Sequence, residues 1–322
     1  MKAYVYGAGG AAIADIAKPA PKGTQVLVKV HACSLNRADL GMAKGHAHGS
    51  AGGAGTVLGM EWAGEVAALG PEAKGVKVGD RIMGSGSAAF AEYTLADHGR
   101  LFRTPSNMNF EEAATLPVAL ATMHNAVVTV GGLQAGQSVL IQGASSGVGL
   151  MAMQIAKLKG ASLVVGSSTD ATRRGRLKEF GADLAIDSAD PGWVDQVLKA
   201  TNGEGVDLIV DQVSGKVANQ NLAATRIKGR IVNVGRLGGT HADFNFDLHA
   251  ARRINYIGVT FRTRTVEEIR EIFDAIKKDI WAAVEGRKLQ LPIDKVFNFG
   301  DIGAAFAHME ANKHLGKIVV TL

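Results

Sequence analysis

The sequence has few of the features that would tie it to a membrane, a disulfide scaffold or nucleic acid. Of its 322 residues only Cys33 is a cysteine, which excludes an internal disulfide and a cysteine-rich zinc site. No stretch reaches the ~18 apolar residues of a membrane-spanning helix, and the first residues lack the apolar core of a signal peptide. The net charge of +5 comes from scattered Lys and Arg, so nucleic-acid binding is not expected. We expect a soluble, cytoplasmic protein.

The composition is that of a globular chain with room for two domains, since 47% of the residues are hydrophobic and 20% are charged. Up to about Pro117 the sequence gives short alternating runs, and residues 25–32 and 61–69 are typical of half-buried strands. Between them, the glycine-rich stretch 45–59 predicts a mobile loop.

From about Val118 the sequence changes to strands that alternate with helices. The strand SVLIQ (138–142) is followed by a predicted helix over 148–159 that Gly160 ends. Because several strands are near-continuous runs of Val, Ile and Leu, we predict a parallel sheet covered by helices. A helix over 267–284 and a last strand, GKIVVTL, return the chain to the first domain.

The connection between the first of these strands and its helix reads GASSGVG, residues 143–149. Ala144 and Ser146 stand where the first two glycines of G-x-G-x-x-G are expected. Small residues let a pyrophosphate approach the backbone, and the helix N-terminus favours an anion. The motif alone leaves open that its small residues serve only packing. Its place at the head of a β-α-β series favours a dinucleotide site.

The end of the second strand distinguishes NAD from NADP. An acidic residue that binds the ribose 2′-hydroxyl is expected there, but the sequence has Ser167 and Ser168, followed by Arg173, Arg174 and Arg176. Hydroxyl groups and a guanidinium suit a 2′-phosphate, so we predict NADPH. A solvated helix face is the alternative for the arginines, and Asp170 suits a helix N-cap.

Several segments in this order resemble the medium-chain dehydrogenase/reductase family, in particular its zinc-independent quinone oxidoreductase (zeta-crystallin-like) branch. They are VKVHACSLNRADL, LGMEWAGEVAALG, VGDRIMG, EEAATLPVALAT, QGASSGVG, the paired arginines of FRTRT, and GKIV. The resemblance covers nearly the whole chain and implies an α/β protein. A GroES-like β domain is expected from residues 1–118 and 264–322. A Rossmann domain with a doubly wound parallel sheet is expected from residues 119–263.

The zinc enzymes of this superfamily carry a cysteine near Asn36 and a histidine in a G-H-E motif that here reads Gly59-Met60-Glu61. Asparagine and methionine are poor zinc ligands, so we expect no metal. His46 and His48 lie two residues apart in the glycine-rich stretch, which is a weak metal signal.

The resemblance also implies roles for individual residues. Asn36 is expected as the catalytic polar group, although it could instead only order the turn after its strand. Substrate contacts are expected at Asn36, Met60, Trp62 and His46. Cofactor contacts are expected at Asn36, Thr122, Ala144, Ser145, Ser146, Gly147, Val148, Ser167, Ser168, Arg173, Val213, Gly235, Arg236, Phe261, Arg262 and Lys317.

The implied activity is hydride transfer from NADPH to a small molecule, either a quinone or an α,β-unsaturated carbonyl, without zinc. Two alternatives stay open: an enoyl-thioester reductase, and an NADPH-binding protein with little turnover, of the crystallin or RNA-binding type. No tyrosine lies between Tyr6 and Tyr93, so the tyrosine proton donor of related reductases is missing and water, Lys44 or His46 would replace it. A homodimer or homotetramer is expected, paired through INYIGVTF (254–261).

Overall fold

The structure, a computed structural model, describes residues 1–49 and 52–322. It divides into two compact units, which are residues Met1–Ala121 with Phe261–Leu322 (unit 1) and residues Thr122–Thr260 (unit 2). Ser50 and Ala51, which belong to the predicted glycine-rich loop, lie outside the described residues.

The elements follow one another in three blocks. The first block contains β1 (Lys2–Gly7), β2 (Gly10–Asp15), β3 (Gln25–Ser34), α1 (Arg37–Met42), β4 (Glu61–Leu69), β5 (Arg81–Ser85), β6 (Tyr93–Asp97), β7 (Leu101–Arg103), α2 (Phe110–Ala114) and α3 (Pro117–Met123). The second contains β8 (Ser138–Gln142), α4 (Gly147–Leu158), β9 (Leu163–Ser167), α5 (Ala171–Gly175), β10 (Leu184–Ile186), α6 (Trp193–Ala200), β11 (Val206–Asp211), α7 (Ala218–Ala224), β12 (Thr225–Asn233), α8 (Phe246–Arg252) and β13 (Asn255–Gly258). The third contains α9 (Val266–Asp279), α10 (Trp281–Glu285), β14 (Ile293–Asn298), α11 (Ile302–Glu310) and β15 (Lys317–Thr321).

Unit 1 is built around β3, the strand at the centre of its largest sheet. The strand order is β14-β15-β3-β4-β5-β7, with β6 also paired to β3. The last strand of the chain, β15, lies antiparallel to β3, with Val319 opposite Ser34. On the other side β4 is also antiparallel, with Trp62 opposite Cys33. The carboxyl end of β3 therefore lies between the amino ends of β4 and β15.

Unit 2 contains a six-stranded sheet in which every strand pair is parallel. Its order, β10-β9-β8-β11-β12-β13, is the 3-2-1-4-5-6 order of a Rossmann sheet. Strands β8 and β11 are buried along their whole length, as expected when helices cover both faces. The predicted parallel sheet is confirmed.

Two predicted elements differ from the observed ones. The helix predicted over 267–284 is two helices, because Ile280 leaves the helical conformation (φ −126°, ψ 0°). The break places the Trp281 ring on Phe102, with ring centroids 4.9 Å apart. The predicted strand 254–261 is ordered as a strand only over Asn255–Gly258, at the edge of the sheet. Across the described ranges, no helix has the length and apolar character that a membrane crossing requires.

Candidate functional site

The connection from β8 to α4 in unit 2 has the geometry of an anion-binding turn. The backbone turns sharply at Gly143 (φ +72°), and Ser146 caps the helix by accepting a hydrogen bond from the Gly149 N–H at 3.1 Å. α4 has 12 residues, so its first N–H groups and its dipole together favour an anion in front of the turn.

The structure explains why alanine is tolerated at a position where glycine is expected. Ala144 is fully buried and its side chain packs towards Gly166: a Cβ on Gly166 would lie 3.2 Å from that of Ala144. Gly149, in contrast, allows no side chain. A Cβ there would lie 2.7 Å from the Ala144 Cα and carbonyl oxygen and from the Gly143 carbonyl oxygen. The required glycine is therefore the one where helix and turn meet.

The two serines at the end of β9 have different roles. Ser167 is fully buried, donates to Gln142 Oε1 at 2.6 Å and accepts from the Gly143 N–H at 3.0 Å. Its hydroxyl thus braces the turn, which corrects the expectation of a contact to the 2′-phosphate. Ser168 Oγ donates to Ser145 Oγ at 3.0 Å, so these two hydroxyls face each other across the turn.

The arginines that follow also separate. Arg174 Nη1 donates to the Ser168 carbonyl oxygen at 2.8 Å and to Asp187 at 3.0 Å. Arg173, the arginine expected at the cofactor, is only 16% exposed and lies with Nε 3.6 Å from Asp170. Asp170 caps α5 by accepting from the Arg173 N–H at 2.8 Å. The structure therefore adds Arg174 to the candidates beside Ser168, and no signal in the sequence distinguishes it from Arg173.

Other expected cofactor residues lie at the carboxyl ends of β11 and β12. Val213 is the second residue after β11, and its N–H donates to Asp211 Oδ1 at 2.8 Å; burial raises the pKa of that carboxyl group. Gly235 and Arg236 follow β12. Because β8 and β11 are neighbours, these residues share a sheet edge with the phosphate turn, at the point where the strand order reverses. Thr122 lies in α3, just before a π-helical turn over 124–129.

Unit 1 contains a buried polar cluster at the junction of β3, β4 and β15, which we call the Asn36 cluster (Ser34, Asn36, Glu61 and Lys317). Lys317 donates to Glu61 Oε1 and, at 3.0 Å, to Asn36 Oδ1. Asn36 Nδ2 donates to Glu61 Oε1 at 2.8 Å, and Ser34 Oγ donates to the same oxygen at 2.7 Å. Glu61 is 0% and Lys317 5% exposed, while Asn36 is half-buried. Asn36 is therefore the member of the cluster that a substrate can reach.

The backbone of Asn36 is fixed as well, because it precedes the first turn of α1. Its N–H donates to Asp39 Oδ2 at 2.7 Å. Asp39 is fully buried, and burial raises its pKa to about 7, although Lys317 opposes the shift. Asn36 is thus held through both backbone and side chain.

The residues that we expect to contact the substrate differ in how accessible they are. Met60 is half-buried and precedes Glu61. Trp62 is fully buried in the unit 1 core, and its ring would meet a side chain on Gly84 at 2.8 Å. This corrects its expected role, because a ring packed in that way contacts protein rather than substrate.

His46 is exposed, while His48 is half-buried, and burial and the nearby Arg262 lower the pKa of His48. Phe261 and Arg262 begin the second segment of unit 1.

A zinc ion does not fit the Asn36 cluster. The amide of Asn36 is engaged at both ends, and the Cys33 thiol is buried, with its pKa raised by that burial and its Sγ 3.6 Å from the Val320 carbonyl oxygen. Within the described part of the chain, no three or more His, Cys, Asp or Glu side chains form a group that could hold a metal.

Comparison with known proteins connects both units to one family. Residues 22–106 match the family model of the alcohol dehydrogenase GroES-like domain, and residues 147–278 match that of the zinc-binding dehydrogenases. Human quinone oxidoreductase is 30% identical over 265 residues, 82% of this chain and 79% of that protein. The structure of an alcohol dehydrogenase superfamily protein from Novosphingobium aromaticivorans matches with a TM-score of 0.90 and 28% identity, covering 100% of this chain and 99% of that one.

Larger proteins match as well. A phenolphthiocerol/phthiocerol polyketide synthase polypeptide of Mycobacterium tuberculosis is 31% identical over 310 residues, 96% of this chain. The chain spans only 14% of the length of that synthase.

A GroES-like unit joined to a Rossmann unit with a phosphate-type turn defines a class of two-domain oxidoreductases. The chain belongs to the medium-chain dehydrogenase/reductase family, and quinone oxidoreductases are among its relatives. The predicted family and fold class are confirmed.

Proposed function

We propose that this oxidoreductase uses NADPH to reduce a quinone or an α,β-unsaturated carbonyl compound and that it does so without zinc. The observation that supports this most strongly is the Asn36 cluster, in which the amide of Asn36 is fixed by Glu61 and by the buried Lys317 ammonium, near the position where zinc enzymes of the superfamily carry a cysteine. Hydrogen-bond donors suffice for such acceptors, because the developing charge is delocalised onto oxygen. The relative named quinone oxidoreductase agrees with this substrate class.

The residues of unit 2 fit NADPH. The turn Ser145–Val148 would receive the pyrophosphate, and Ser168 with Arg173 and Arg174 would bind the 2′-phosphate. When bound, the cofactor supplies the hydride. The absence of an acidic side chain at Ser167 and Ser168 supports NADPH over NADH.

The Asn36 amide would donate a hydrogen bond to the substrate oxygen on which charge develops, and Lys317 would add positive charge behind it. Lys44 is paired with Glu310 at 2.6 Å, so we assign the proton that completes the reduction to water or to His46.

The test is oxidation of NADPH, followed by the loss of its absorbance, across a panel of quinones, enones and enoyl thioesters. We expect turnover with quinones or enones, and a lower kcat/KM when NADH replaces NADPH. A clear preference for NADH would contradict the cofactor assignment. NADPH binding without oxidation across the panel would instead establish a binding protein with little turnover.

A second candidate, an enoyl-thioester reductase, is supported by the similarity to a polyketide synthase over 96% of this chain. Such an enzyme would use the same cofactor residues. The panel separates the two candidates, because the enoyl-thioester reductase would show its highest kcat/KM with thioesters.

We also propose a homodimer or homotetramer, in the cytoplasm, that pairs through the edge strand β13. Tyr256 in this strand and Phe246 in α8 are aromatic side chains that are 37% and 73% exposed, and an edge strand with such neighbours favours pairing. Light scattering after size exclusion should give twice or four times the chain mass; a monomer would contradict this assignment.

A further inference from the structure

We propose that Glu61 and Lys317 are positioning residues that fix the polarity of the Asn36 amide, so that its N–H points to the substrate oxygen. This inference rests on the proposed function and deepens it. It requires that the substrate carry an oxygen that accepts a hydrogen bond from Asn36. It also assigns to Glu61 the role of orienting the Asn36 amide.

The hydrogen-bond partners of Asn36 determine the positions of the amide oxygen and the amide nitrogen. Oxygen and nitrogen of an amide have nearly the same shape, so only their hydrogen-bond partners distinguish them. The Lys317 ammonium only donates, and it lies 3.0 Å from Oδ1. The Glu61 carboxylate only accepts, and it lies 2.8 Å from Nδ2. The reversed amide would place oxygen against carboxylate and nitrogen against ammonium, so one orientation is strongly favoured.

Counting hydrogen-bond capacity shows what the cluster leaves available. Nδ2 carries two hydrogens, and Glu61 takes one of them. The other is the donor that the half-buried Asn36 can offer to a ligand. Lys317 also polarises the amide by donating to Oδ1, which strengthens the remaining N–H as a donor. An oxyanion that develops at this N–H is stabilised, whereas a ligand that presents a donor is disfavoured.

The Glu61 carboxylate is the most restrained group of the Asn36 cluster. Its Oε1 accepts from Ser34, Asn36 and Lys317, and its Oε2 accepts from the Val118 N–H at 2.9 Å. Every donor around the carboxylate belongs to a strand end or a helix start, so Glu61 has little freedom to rotate. A buried ion pair adds little net stability compared with an apolar pair. Positioning of Asn36 therefore explains the cluster better than stabilisation of the fold does.

The test is a double-mutant cycle of Asn36→Ala and Glu61→Gln, with kcat for a 1,4-quinone measured at saturating NADPH. The amide introduced by Glu61→Gln can present either a donor or an acceptor, so it no longer sets the direction of the Asn36 amide. We expect Glu61→Gln alone to lower kcat roughly 10- to 100-fold, as for loss of a hydrogen bond to a charged group, with a much smaller change in affinity for NADPH. In the Asn36→Ala background the same change should have little further effect.

Equal losses of kcat from Glu61→Gln in both backgrounds would overturn the inference while leaving the proposed function intact. If the wild-type protein fails to oxidise NADPH with every quinone and enone tested, both this inference and the proposed function are overturned. The matched control is Glu179→Gln, which removes the acidic partner of an exposed ion pair to Arg176 and should leave kcat unchanged.

The fold of each variant is checked by thermal unfolding. If Glu61→Gln does not fold, the neutral pair Glu61→Gln with Lys317→Met takes its place in the cycle, because it leaves no buried unpaired charge. Failure of both versions to fold would show that the pair is structural and would contradict the inference.

Discussion

The phosphate turn of unit 2 and the Asn36 cluster of unit 1 are assembled in opposite ways. The turn is made of residues 143–149, which are consecutive, and its chemistry comes from backbone N–H groups. The cluster brings together side chains from positions 34, 36, 61 and 317 and depends on their charges. The turn accepts small side chains at Ala144 and Ser146 but none at Gly149, whereas the cluster should lose its function when any one of its side chains changes.

The largest effect is expected for Asn36→Ala, the change that removes the exposed member of the cluster. Loss of one preorganised donor to a developing oxyanion lowers kcat by about 10²–10³-fold. NADPH affinity, measured by fluorescence titration, should fall much less than kcat because the phosphate turn is untouched. A variant with wild-type kcat would remove Asn36 from the site.

The turn can be broken by steric means. Gly149→Ala places a Cβ 2.7 Å from backbone atoms of the turn, and overpacking of this kind costs about 1–3 kcal/mol. We expect weaker NADPH binding and a lower free energy of unfolding, measured by titration and urea denaturation. Gly175→Ala is the matched control, since a Cβ there meets no heavy atom within 4 Å. Equal behaviour of the two variants would contradict the tight turn.

The side chains beside the phosphate turn have a different role from its backbone. They should determine the preference for NADPH over NADH, whereas the backbone binds the pyrophosphate. Ser168→Asp puts a carboxylate where we place the 2′-phosphate, and like charges repel. We expect the ratio of kcat/KM for NADPH to that for NADH to fall about tenfold, roughly the effect of 1.4 kcal/mol. Arg176→Ala, which removes an exposed pair with Glu179, serves as the control. An unchanged ratio would place the 2′-phosphate elsewhere.

The smallest effect concerns Asp39, which holds the backbone of Asn36. Its pKa of about 7 in the folded chain exceeds that of an unfolded aspartate, so unfolding releases a proton between those values. The free energy of unfolding should therefore fall as pH rises from about 4 to about 7 and then level off. Asp39→Asn should remove this slope and be more stable than the wild type at pH 8, where the wild-type chain carries the buried charge.

Urea denaturation at pH 5 and pH 8 measures this difference. Wild type and Asp39→Asn should converge at the lower pH and separate at the higher one. Parallel behaviour at both pH values would mean that Asp39 is ionised in the folded chain throughout this range.

Features that depend on contacts between residues close in sequence could be predicted, whereas features that depend on distant contacts could not. The family, the fold class and the parallel sheet were predictable, because hydrophobic runs and turn motifs are local patterns. The role of Glu61 was not, because its partner Lys317 is 256 residues away and meets it only through strand pairing around β3. The family pattern places the neighbouring Trp62 at the substrate, whereas the structure packs its ring in the core of unit 1.

Neighbouring residues were also hard to separate within the Rossmann unit. Ser167 and Ser168 are the same residue type and both are buried, yet Ser167 donates to Gln142 whereas Ser168 donates to Ser145. Arg173 and Arg174 differ only by rotation about α5, which decides which guanidinium reaches the Ser168 carbonyl group. Such distinctions depend on the direction of each side chain, which a single sequence does not encode locally.

The central claim, hydride transfer from NADPH to a quinone or enone without zinc, is tested most directly by metal removal. NADPH oxidation is measured with a 1,4-quinone and with a cyclic enone, before and after exhaustive dialysis against a chelator, with zinc determined by elemental analysis. We predict that the turnover is unchanged by the chelator and that zinc is far below one ion per chain. Activity that is lost on dialysis and restored by added zinc would contradict the account.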